Sequence, residues 1–159
     1  MKKRNISIII GMAIILILCV ISLKYYKDIS AKKGHDNDLA KAEDVIKEHF
    51  KWWNEKNINK LNNTMTKDLS NISWNLQNTD YVKLINIKEE LSGNIKDGYM
   101  NNGKGKYIKP KDVKVFAVQY EIKLKDDNKG ALTSGKHEQY YILIKQDENS
   151  PWLINEMGQ

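Results

Sequence analysis

Residues 6–23 (ISIIIGMAIILILCVISL) form a run without a single charge, preceded by Lys2, Lys3 and Arg4. At helical rise these eighteen residues span about 27 Å, close to the ~30 Å hydrocarbon core of a bilayer. Tyr25 and Tyr26 follow at once, where amphipathic rings favour the headgroup level. The expectation is a transmembrane helix over residues 1–26 that acts as an uncleaved signal-anchor, with the membrane as its first partner. A cleaved signal needs small residues at its cut site, and Val20-Ile21-Ser22 approximates that pattern poorly. Cys19, the only cysteine, is the alternative lipid attachment site, although Ile17 and Leu18 stand where a lipoprotein signal carries small residues. Three cations precede the span and four follow it closely, so the positive-inside rule does not decide orientation. A basic stretch beginning at residue 2, as in an export signal, favours an extracytoplasmic domain on a single-pass cell-membrane protein.

The charge belongs to that segment. The chain carries a net +6, and residues 1–35 hold seven cations against Asp28 alone, which is the whole excess. The remainder balances 19 lysines against 19 acids, so it presents no basic field to a polyanion. Arg4 is the only arginine, and the planar fork that reads phosphates and guanine edges is missing beyond it. No nucleic-acid partner is expected. With no cysteine after Cys19, disulfides and cysteine zinc sites are excluded from residues 36–159.

Lys24–Asn37 is polar and reads as a tether, residues 27–37 linking the anchor to one domain over 38–159. From Asp38, a helix-capping residue, Ala42, Val45, Ile46, His49, Phe50 and Trp53 fall on one helical face, with Trp52 at its edge. Asn54–Asn57 breaks that helix, and a short second helix follows over Ile58–Met65. Ile72, Trp74 and Leu76 alternate like an edge strand. Strands are expected at Tyr81–Glu89, Val113–Leu124, Glu138–Lys145 and Trp152–Met157, with a glycine-bearing loop over Ser92–Lys111. Helices first and an antiparallel meander afterwards make an α+β fold.

Three segments carry a resemblance: HFKWWNEKNINKLNN (49–63), DVKVFAVQYEIKL (112–124) and SPWLINEMGQ (150–159). Through them residues 39–159 resemble the nuclear transport factor 2-like superfamily. Within it the chain looks like a bacterial family of unknown function on membrane- or lipid-anchored proteins of clostridia and their relatives. The resemblance implies a long helix packed into a strongly curved antiparallel sheet, a cone with an internal cavity. It brings no established active site, so no catalytic residue is carried over.

Chemistry-bearing residues are few. His49 lies on the apolar helix face, where it could serve a pocket or act as a core histidine with one polar partner. His137 and Glu138 point to opposite faces of a strand, and His35 falls in the tether. Three histidines without ligand spacing make no metal site, and no cofactor is implied. Asp36-Asn37-Asp38 lacks the rest of a calcium loop. Gly103-Lys104-Gly105-Lys106 lacks the setting and the ending of a phosphate loop. Candidate pocket residues are His49, Trp53, Trp52, Phe50, Tyr120, Tyr140 and Trp74, which could equally fill a core. The leading expectation is a membrane-anchored binding module for a protein or a small apolar molecule, with a homodimer allowed. Rival readings are a pocket enzyme of the isomerase or hydratase kind and a structural subunit assembling through its sheet.

Overall fold

The computed structural model describes residues 2–70 and 72–158, with side chains described from Ile17 onward. Two compact units are present, Met1–Asp38 and Leu39–Gln159. The elements are α1 (Lys2–Asn54), α2 (Ile58–Asn62), β1 (Thr79–Glu89), α3 (Asn94–Asn101), α4 (Gly105–Ile108), β2 (Asp112–Leu124), β3 (Gly135–Lys145) and β4 (Leu153–Gly158).

The expected fold class needs correction in the first unit. Among the described residues no helix is long and apolar enough to cross a membrane. Most of the Ile6–Leu23 run lies outside the residues whose side chains are described. Lys24–Asn37, the stretch read as a tether, is helical throughout, as part of α1. Its charges therefore follow the apolar run within the same helix, and Cys19 is an exposed free cysteine.

In the second unit the four strands form one antiparallel meander in the order β1-β2-β3-β4. Phe116 pairs with Tyr141, Val118 with Gln139 and Tyr120 with His137, so these residues share one face, together with Ile122 and Leu124. Across β1, Val82 sits opposite Ile122 and Leu84 opposite Tyr120. Bulges between Thr79 and Tyr81 and between Leu84 and Asn86 interrupt the ladder and bend the strand locally. Residues of α1 from Leu39 onward cover this face: Ala42, Ile46, His49, Phe50 and Trp53 are all buried, and they share one cluster with Phe116, Val118, Tyr120, Tyr141 and Leu143. The helix also protects the exposed edge of the sheet, because the Val82 N–H donates to Asn54 Oδ1 at 2.9 Å.

The other face carries a smaller core. Val113, Val115, Ile142 and Ile144 pack with Tyr99, and Ile95, Met100, Ile108 and Tyr140 flank them. This is where the segment expected as a loop over Ser92–Lys111 differs: it holds α3 and α4. Tyr99 anchors it, donating to Asn155 Oδ1 at 2.8 Å, while Asn155 Nδ2 donates to Thr66 Oγ1 at 2.9 Å. The glycines of the Gly103–Lys106 stretch have a packing cause. A Cβ on Gly105 would stand 2.5 Å from Tyr99 Cε1, and one on Gly103 would stand 2.9 Å from the Tyr99 carbonyl oxygen.

The expected edge strand at Ile72–Leu76 is also absent. Residues 67–70 and 76–78 are turns, residues 72–75 carry no strand, and non-local bonds hold the segment at its ends. Thr66 N–H donates to the Ile154 carbonyl at 2.9 Å, and Ile154 N–H donates to the Thr64 carbonyl at 3.0 Å. Asn75 has φ +47°, a left-handed conformation that asparagine tolerates better than most residues.

Candidate functional site

A cavity of about 310 Å³ opens beside the helix-covered face of the sheet. Its aromatic walls are Trp53, Trp74, Tyr120 and Tyr141, and Ile122, Leu124, Leu132 and Met157 add aliphatic and thioether surface. Turns close its outer side. Asn75 Nδ2 donates to the Lys129 carbonyl at 2.5 Å, and Lys125 Nζ donates to the Gln77 carbonyl at 2.8 Å. Asn78 joins the same two segments: its Nδ2 donates to the Asp126 carbonyl at 2.8 Å, and its Oδ1 accepts from the Asp126 N–H at 3.1 Å. The β2–β3 connection is held in turn by Asp127, whose carboxylate accepts from the Ser134 N–H and hydroxyl, both at 2.7 Å.

His49 stands behind this wall and is not among the lining residues. It is fully buried and surrounded by rings, with centroids at 5.0 Å (Trp74), 5.7 Å (Phe50), 5.9 Å (Tyr141) and 6.1 Å (Trp53). Its one polar contact among the described residues is Nδ1 to Thr64 Oγ1 at 2.9 Å. The Thr64 hydroxyl spends its only proton on the Leu61 carbonyl at 2.6 Å, so it must accept from the ring. That assigns the proton to Nδ1 and leaves Nε2 as a bare acceptor, without a partner among the described residues. Burial lowers the imidazole pKa to about 3, because nothing nearby compensates the loss of solvation of the charged ring. A neutral imidazole sealed behind indoles does not reach a molecule in the cavity. Among the described residues no carboxylate lines the cavity.

The structure brings only some of the expected pocket residues together. Trp53, Trp74 and Tyr120 line the cavity. Phe50 is core beneath it, 5.1 Å from Tyr120 and 5.8 Å from Tyr141 by ring centroids. Trp52 faces a different depression of about 290 Å³, shared with Val45, Lys60 and Trp152. There Lys60 Nζ lies 4.0 Å from its ring centroid and Lys51 Nζ 4.4 Å. Tyr140 lies across the sheet with the α3 cluster, and its neighbour Tyr141 takes the cavity position. His137 stacks on Tyr120 at 5.4 Å and contacts the Thr133 carbonyl through Nε2 at 2.8 Å. Gln139, Met157, Leu132 and Thr79 are lining residues absent from the sequence expectation. For Gln139 the signal was present, two positions before Tyr141 on the same strand face.

Residues 39–158 thus build an α+β pocket domain, a helix laid on one face of an antiparallel meander with a cavity between loops and sheet. The chain belongs to the family described as a domain of unknown function (DUF4829), which matches residues 43–158. No curated protein and no solved structure matches it.

Proposed function

We propose that this domain is a binding module whose cavity takes a small, largely apolar molecule. The observation that carries this reading is the cavity itself: about 310 Å³, within the range of small-molecule sites, walled by aromatic rings with a few polar groups. A small apolar molecule in this space would exchange water for dispersion contacts with the rings. The kinship to the nuclear transport factor 2-like superfamily, and to a bacterial branch of it, belongs to the same proposal. Its support is the order of elements, with a long helix ahead of a four-stranded meander.

Calorimetric titration with naphthalene tests the proposal, because the probe is apolar, flat and small enough for the space. Saturable binding of one molecule per chain in the micromolar range is expected. Ala131 lines the mouth and is exposed, so Ala131→Trp should obstruct the cavity while leaving the core intact. The variant should bind about tenfold more weakly or worse, equivalent to roughly 1.4 kcal/mol. Absence of saturable binding to the unaltered chain would overturn the proposal.

A further inference from the structure

We propose that the occupant of this cavity is uncharged and carries a hydrogen-bond acceptor oxygen, of the ketone, ester or ether type, which the Tyr141 hydroxyl and the Gln139 side-chain amide receive. The inference rests on the binding reading above and narrows it to a ligand class. Tyr141 and Gln139 lie two apart on β3 and face the same way, and both line the cavity. The side chain of Tyr141 is buried to 1 % exposure, and the indole N–H groups of Trp53 and Trp74, which line the same space, have no hydrogen-bond partner among the described residues. Burial and the neighbouring Tyr120 hold the Tyr141 hydroxyl well above its ordinary range, so it stays a donor. Tyr120 donates to Gln139 Oε1 at 3.2 Å. This fixes the amide with its oxygen engaged and leaves the NH2 as a second donor.

Charge selects against ions. Among the described residues the only charged lining residue is Lys129, whose ammonium lies 3.5 Å from Asp126 Oδ2 in an exposed pair. A carboxylate ligand would have to leave water for a cavity that gives it no committed cation. A quaternary ammonium would find aromatic faces, yet among the described residues no carboxylate lines the space and Lys129 does. A neutral acceptor meets two donors at no such cost, and the discrimination comes from donors left unsatisfied when the acceptor is missing.

Four probes on one ring system separate the possibilities in the full chain: naphthalene, 2-acetonaphthone, 2-naphthoate and 2-naphthyltrimethylammonium. We expect 2-acetonaphthone to bind about tenfold tighter than naphthalene, and both ions to bind more weakly than naphthalene. Tyr141→Phe, which keeps the ring, should bring the ketone to within about twofold of naphthalene when both are measured on that variant. Thermal unfolding of the variant verifies that the fold is retained, and Gln139→Leu supplies an independent loss of the same preference. Naphthalene binding without a preference for the ketone, or a ketone preference that survives Tyr141→Phe and Gln139→Leu, would overturn the ligand class and leave the binding reading in place. Tightest binding by either ion would also overturn it. If none of the four binds, the binding reading falls and takes the ligand class with it.

Discussion

Phe50→Ala is expected to destabilise the domain by about 3–5 kcal/mol, the range for large-to-small changes in a packed core. Phe50 is 3 % exposed. It stacks on Trp53 at 5.9 Å and touches both Tyr120 and Tyr141, so its ring joins α1 to the two central strands and to the back of the cavity. Truncation removes the apolar area and leaves a void that relaxes only in part. Lys51→Ala, one residue on, reaches solvent and loses a contact of its ammonium with the Trp52 ring. Its cost should stay within about 1 kcal/mol. Urea titration of residues 1–159 carrying each substitution measures both. Similar losses at the two positions would mean that α1 does not bury the face described.

Acidification should weaken the domain through His49 well before carboxylates titrate. In the fold the imidazole is neutral, with a pKa lowered to about 3 by burial, whereas an unfolded chain holds histidine near 6.5. Above pH 6.5 both states are uncharged and the group contributes no pH dependence. Below it the unfolded chain takes up a proton that the folded domain refuses. Stability present at neutral pH is therefore lost as pH falls from about 6.5 towards 3. The groups around His49 offer no compensation, being Phe50, Trp53, Trp74, Tyr141 and Thr64. Between pH 7 and pH 5 the loss should be on the order of 2 kcal/mol. His49→Gln, whose amide can still donate to Thr64 Oγ1, lacks the titration and should keep its stability over that interval. Parallel losses in the two proteins would place the pH dependence elsewhere. The carboxylates of Asp126, Asp127 and Asp147 are held below their usual range by turn hydrogen bonds. They add losses only at lower pH.

The sequence carried the helix-on-meander plan because its signals are local. Ala42, Ile46, His49, Phe50 and Trp53 repeat at helical spacing, and Phe116 to Leu124 alternate in a strand of matching length. What stayed hidden depends on contacts between distant segments. Ile72, Trp74 and Leu76 alternate like a strand, but the backbone of this segment is held at its ends, by Thr66 on β4 and by Asn78 on the β2–β3 connection, which no local pattern announces. The α3–α4 stretch contains Gly98, Gly103 and Gly105, residues of poor helix propensity. It is helical because Tyr99 has a buried partner in Asn155. Tyr140 and Tyr141 are a matter of register: adjacent strand residues face opposite ways, and the pairing of Phe116 with Tyr141 says which tyrosine looks at α1. At the amino terminus the apolar run suggested a span that ends at Leu23, and the helix instead continues into charged sequence.

The candidate site follows from the same division. Aromatic residues were legible as a class, but their assignment to core, cavity or the far depression depends on the angle at which each leaves its element. The tryptophans show this most plainly. Trp53 and Trp74 line the proposed binding cavity, and Trp52 and Trp152 line the depression on the other side of α1.

That division supplies the most direct test of the claim that the cavity between sheet and turns is the binding site. The four indole N–H signals are assigned in a two-dimensional nitrogen–proton spectrum by single Trp→Phe substitutions, and 2-acetonaphthone is titrated into the unaltered chain. The account predicts saturating shifts at Trp53 and Trp74, with Trp52 and Trp152 unmoved. Shifts confined to Trp52 and Trp152, or no saturable shift at any of the four, would contradict it.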